Sequence, residues 1–239
     1  MTKRIWELDA LRGVCIIGMV LVHLLYDLSL FFQLRIPQPL LFLQSWGGTA
    51  FLLLSGISVT LGSRHIRRGL LVFGCGMLCT AVTTCMYVLN LAEKDMLIYF
   101  GILHCLGCCM LLWSLFSRLP NWGIAGCGLL LTLLGIPADG ITVNFPWLIP
   151  LGILYPGFAT SDYFPLLPNL GIFLLGAVAG KLLYPQKSSR LPHANTHGTA
   201  IRFLCLCGRH TLVIYLLHQP ILTAILWIVD TLIIRSTAV

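Results

Sequence analysis

The chain has 239 residues, 58% hydrophobic and only 10% charged, with a mean hydropathy of +0.92 and a formal net charge of +7. Soluble domains run at about 45–50% apolar and about 25% charged, so this composition excludes an ordinary water-soluble globule and leaves lipid as the solvent. At roughly 20 residues per crossing, the length fits an all-α polytopic integral membrane helix bundle of about seven transmembrane helices, in one domain over residues 1–239.

In chain order, long apolar runs predict spans at 10–32, 40–61, 70–89, 96–116, 122–136, 166–184 and 211–234. The fifth is short. Residues 141–158 are also apolar but carry Pro146, Pro150 and Pro156. The stretch 137–165 therefore reads as an extracytoplasmic loop or re-entrant segment, and an eighth span is the alternative. Residues 185–209 read as a cytoplasmic loop, flexible over 186–198 where Ser, His, Pro and Asn gather. The first apolar run is too long for a cleavable signal.

Charge placement orients these spans. With a cytoplasmic N-terminus, Lys3, Arg4, Arg12, Arg64, Arg67, Arg68, Arg118, Lys181, Lys187, Arg190, Arg202 and Arg209 fall on the inner side, and only Arg35, Lys94 and Arg235 fall outside. That bias predicts a multi-pass protein of the cytoplasmic membrane. It also explains the basic balance without nucleic acid. Most of the ten cysteines lie within apolar runs and read as small packing residues. The Cys105-x-x-Cys108 spacing has no second pair, so no metal is expected. Gly176-x-x-x-Gly180 can pack helices within one chain or between two, which leaves a homo-oligomer open.

Ionisable groups inside a span cost about 2.5–3.5 kcal/mol each even on the lenient insertion scale. They therefore mark interior surfaces. At about 100° per residue, the eleven steps from Arg12 to His23 return to within roughly 20° of the same face. Asp9 precedes Arg12 by three residues and Asp27 follows His23 by four, so all four form one polar stripe. At the His23–Asp27 spacing a carboxylate can hold one imidazole nitrogen and leave the other as a general base. The same spacing also suits a structural staple between helices. Counted from the span ends, His104 in the fourth span matches His23 in depth, and the two are expected to share a cavity. Thr211, Tyr215 and His218 share a face at i, i+4, i+7. His218 is expected lower in the same passage, or bonded to carbonyls freed by Pro220. Arg12, Arg64, Arg67, Arg68 and Arg209 gather at the inner end, where guanidinium groups can hold the phosphates of a cytosolic donor. Basic loops are also what orientation alone requires.

These residues lie in motifs. RIWELDALRG (residues 4–13) leads into the helix bearing His23 and Asp27. FGILH (100–104), SDYFPLLP (161–168), the glycine-bearing helix 171–180 and GRHTLVIYLLHQP (208–220) follow in order. Together they resemble the catalytic-domain family of heparan-alpha-glucosaminide N-acetyltransferase, particularly its small bacterial members. The opening motif is also similar to the wider transmembrane acyltransferase superfamily. The resemblance implies transfer of an acyl group, typically acetyl from cytosolic acetyl-CoA, to a sugar or amino-sugar acceptor across the membrane. It associates the positions of Arg12 and His23 with activity.

On this reading His23 is general base or acyl carrier, Asp27 orients it, and His104 assists the acceptor or the oxyanion. Arg12, Arg209, Arg68 and His218 line the donor side, and Asp162, Tyr163 and Trp147 form the acceptor mouth. A different class of protein has the same buried His and Asp: a small-solute or proton-coupled transporter, or a non-catalytic membrane partner of envelope synthesis.

Overall fold

Apolar continuity makes most of the chain helical, and helix persists even across Pro137 and Pro220. In the computed structural model, described for residues 4–32, 38–138, 140–194, 196 and 198–237, the fold is all-α. Lys3, Arg35 and Asp139 lie outside the described residues. The helices are α1 (Trp6–Phe32), α2 (Gln38–Val59), α3 (His65–Val88), α4 (Ile102–Phe116), α5 (Asn121–Ala138), α6 (Leu166–Leu183), α7 (Thr199–Arg209) and α8 (Thr211–Thr237). Single 3-10 turns occupy Lys94–Met96 and Pro146–Leu151.

Of these, α1, α3, α6 and α8 contain stretches long and apolar enough to cross a membrane, and α2, α4 and α5 contain shorter apolar stretches. Large apolar side chains such as Leu70, Leu71, Leu78 and Val82 on α3 are exposed. A lipid solvent tolerates such a surface and water does not.

Each predicted span has its helix, and the boundary shifts have physical reasons. Helix α3 begins at His65 rather than 70, because backbone hydrogen bonding continues through Arg67 and Arg68 where hydropathy falls away. Helix α4 begins at Ile102 rather than 96, because the segment before it pairs with another. Leu97 O accepts from Ser161 N at 3.2 Å and from Thr160 Oγ1 at 2.6 Å, and Phe100 O accepts from Phe164 N at 3.0 Å. The larger departure is α7. Residues 199–209, within the stretch expected as loop, form a helix with Cys205 and Gly208 buried and Phe203 and Leu206 exposed. Its three turns alternate polar and apolar faces and contain no long apolar run, so a search for spans passes over it.

The described chain divides into two compact units. One contains residues 4–51 and 191–237. Here α7 lies along the start of α1 at backbone contact: a Cβ on Gly208 would overlap the Asp9 carbonyl, and one on Gly13 would overlap that of Leu204. Cys205 Sγ donates to Trp6 O (3.4 Å) and Trp6 Nε1 to Leu191 O (3.3 Å). Helix α8 also packs on α1.

The other unit, residues 52–190, pairs α3 with α4 and α5 with α6 around the fully buried Leu52, Cys105, Cys109, Ile124, Phe173 and Leu174. Gly176 and Gly180 admit Leu53 and Ile57 of α2 at backbone distance. The small-residue spacing thus serves packing inside this unit.

Candidate functional site

In the first unit, the α1–α7 seam decides where the arginines go. Because Gly13 and Gly208 let the two helices touch, Arg209 at the end of α7 reaches the start of α1. Its Nε lies 3.3 Å from Asp9 Oδ2. Arg12 Nη1 is 3.8 Å from Asp9 Oδ1, and Arg4 Nε is 3.6 Å from Oδ2. The Asp9 side chain is nearly buried at 7% exposure, while Arg209 and Arg4 keep 42% and 66%. Three guanidinium groups thus gather on one carboxylate, and two of them, those of Arg209 and Arg4, stay open to solvent. Exposed guanidinium N–H donors fit an anion such as a phosphate.

Eleven residues further along the same face of α1, about 16 Å at the rise of an α-helix, stands His23. Its ring meets that of His218 on α8 edge-on, with centroids 4.9 Å apart and planes at 71°. The sequence places His218 lower in the passage, but the structure puts it level with His23. Helix α7 docks at Asp9 and Gly13, within α1, so α8 starts above the α1 N-terminus.

His218 Nδ1 is 2.6 Å from Tyr215 O. A carbonyl can only accept, so Nδ1 carries the hydrogen and Nε2 holds the lone pair. Nε2 is buried and has no hydrogen-bond partner among the described residues. Asp27, buried at 6% exposure, bonds to Gln219 rather than to His23: Gln219 Nε2 donates to Asp27 Oδ1 (3.1 Å) and Oδ2 (3.0 Å). Gln219 Oε1 is also buried and has no hydrogen-bond partner among the described residues.

Gln219 is the residue the sequence reading missed. The signal for it in the sequence is a polar side chain next to His218 inside an apolar span.

In the second unit His104 is 2% exposed and both its ring nitrogens are engaged. Nδ1 accepts from Gly101 N at 3.2 Å, at the start of α4. Nε2 is 3.3 Å from Thr80 Oγ1, whose hydroxyl donates to Ile98 O at 2.7 Å. Nε2 therefore donates to Thr80. Phe100 stacks on the ring at 5.5 Å and Phe73 meets it edge-on at 5.6 Å.

Asp162 Oδ2 accepts from Ile102 N at 3.1 Å and caps the same helix start. Tyr163 donates its hydroxyl to Ile149 O at 2.7 Å. Trp147, in the second 3-10 turn, is 81% exposed. Arg68 is exposed on the first turns of α3 and lies over Gly62. Among the described residues no cluster of three or more His, Cys, Asp or Glu is placed to hold a metal.

Comparison with known proteins gives a family match. The family model described as heparan-alpha-glucosaminide N-acetyltransferase, catalytic, matches residues 4–220. No curated protein and no solved structure gives a significant match.

Proposed function

The chain belongs to the heparan-alpha-glucosaminide N-acetyltransferase catalytic family and is a membrane acetyltransferase, and from that premise we propose how it works. It moves acetyl from cytosolic acetyl-CoA to a sugar or amino-sugar acceptor at the extracytoplasmic side of the cytoplasmic membrane, in a seven-span arrangement with the N-terminus inside. The observation that carries the mechanism is His218, whose Nδ1–H is tied to Tyr215 O and whose lone-pair nitrogen is buried beside His23 without a hydrogen-bond partner among the described residues. Such an imidazole is oriented to take a proton.

The arginines around Asp9 hold the donor phosphates, at a distance along α1 that an extended pantetheine arm can cover. Acetyl-CoA supplies an acetyl thioester. His218 Nε2 takes the proton from the acceptor amine or hydroxyl as its nitrogen or oxygen bonds to the acyl carbon. The carbon–sulfur bond breaks, and the imidazolium returns the proton to the departing thiolate. His23, at the edge of the His218 ring, faces the reacting carbonyl. His104, with both nitrogens occupied, pins the α4 start.

Support for this reading comes from the donor grip and the base both lying against α1, at Asp9 and at His23. The deciding assay is CoA release by purified protein in nanodiscs with acetyl-CoA and an acceptor panel. Acceptor-dependent release that falls in His218→Ala and His23→Ala is expected. Transport of solute without consumption of acetyl-CoA overturns the proposal.

A further inference from the structure

Gln219 has one half of its amide spoken for and the other half open. An amide facing an ionised carboxylate can present only its NH2 group, because the carbonyl oxygen would be repelled. The two contacts of Nε2 with Asp27 at 3.0 and 3.1 Å therefore fix which way the amide points. They direct Oε1 away from Asp27, where it is buried and lacks a hydrogen-bond partner among the described residues. His218 Nε2, one residue earlier on α8, is the other buried acceptor in this condition. His218 meets His23, and Gln219 meets Asp27 one turn further along α1, so both side chains reach into the same α1–α8 interface.

A buried acceptor left unpaired costs about 1–3 kcal/mol. The Gln219 amide also interacts with His23, yet neither acceptor atom has a hydrogen-bond partner of its own among the described residues, and two such acceptors in one interface suit a ligand that brings N–H or O–H groups. The donor thioester brings none at its reacting end, whereas an amine or alcohol acceptor does.

Building on the acetyltransferase reading, we infer that Gln219 is an acceptor-binding residue. Its Oε1 accepts a hydrogen bond from an N–H or O–H of the acyl acceptor beside His218 Nε2, and Asp27 is the positioning residue that holds the amide in that orientation. The pair makes the site select hydrogen-bond-donating acceptors. A site built to bond a substrate donor discriminates strongly against a ligand that lacks it.

The test uses the full chain in nanodiscs, assayed for CoA release with acetyl-CoA and free or glycosidically linked glucosamine, glucose and galactose. Gln219→Met keeps the side-chain volume and removes the acceptor oxygen. The expected result is a rise of about tenfold or more in acceptor KM, with the acetyl-CoA KM and the thermal stabilisation by acetyl-CoA unchanged. Should Gln219→Met fail to fold, the exchanged pair decides. Gln219→Glu alone sets two carboxylates together and is expected to lose acceptor affinity. Gln219→Glu with Asp27→Asn restores an amide–carboxylate bond, still leaves one oxygen open, and is expected to regain wild-type acceptor KM within about threefold.

An acceptor KM unchanged in Gln219→Met overturns the inference while leaving the acetyltransferase reading intact. So does an exchanged pair that recovers stability without acceptor affinity. A wild-type protein that releases no CoA with any of these sugars overturns the acetyltransferase reading, and the assignment of Gln219 with it.

Discussion

Two histidines, His104 buried in one unit and His218 half-buried in the other, show how the same side chain is put to different use. His104 accepts from Gly101 N, donates to Thr80, and lies between Phe73 and Phe100. Every polar atom of its ring is used by the fold. His218 is held by one nitrogen at Tyr215 O and keeps the other, a buried lone pair, open beside His23. The difference lies in the nitrogen accounting. A satisfied ring rigidifies, and a ring with one free acceptor can exchange a proton.

The largest effect expected from this contrast is at His218. His218→Ala is predicted to lower kcat for acetyl transfer by about 10²–10⁴ while the protein still folds, measured by CoA release and thermal unfolding. His104→Ala is predicted to do the reverse. Losing two hydrogen bonds and a packed ring destabilises the protein by about 2–4 kcal/mol, whereas turnover per folded molecule is preserved. Exchange of these two outcomes would break the comparison.

The glycine seam comes next. Gly208→Val forces a side chain against the Asp9 carbonyl and should separate α7 from α1, weakening acetyl-CoA binding about tenfold through the loss of Arg209 from the cluster. Cys205 reports on the same seam. Burial pushes its thiol up, with the nearby Asp9 charge acting in the same direction and Arg209 opposing. The thiolate is therefore scarce at neutral pH, and alkylation should be slow until the pH is raised. Rapid maleimide labelling of Cys205 at pH 7 in Gly208→Val, but not in the wild type, is the expected signature.

Arg209→Ala should raise the acetyl-CoA KM about five- to tenfold with little change in kcat. Arg68→Ala, on an exposed position of α3, should change it less. The smallest effect is expected at Trp147, whose exposed indole offers a stacking face. Trp147→Ala should weaken a sugar acceptor two- to fivefold, in line with about 0.5–1 kcal/mol for such contacts.

Much of this was legible in the chain itself. Apolar runs located seven helices to within about six residues, because a helix in a lipid solvent must be apolar along the length that crosses it. The polar stripe pointed to Arg12, His23 and Asp27, because a charge in a span needs a reason to be there. Less legible was α7, whose short amphipathic repeat resembles an ordinary basic loop. The partner of Asp27 was misjudged for a related reason. Its spacing from His23 suggests a local pair on one helix, but an amide from α8 binds it instead.

Membrane class, the seven apolar helices and the family are all readable from the chain, since these rest on composition, periodicity and motifs that adjacent residues carry. Tertiary structure alone decided which nitrogens are spent and which are open. It brought Arg209 to Asp9 through two glycines in different helices, set His218 against His23, and turned Gln219 toward Asp27. Those pairings join residues almost 200 positions apart, and their geometry depends on how far one helix slides along another, which no local pattern records.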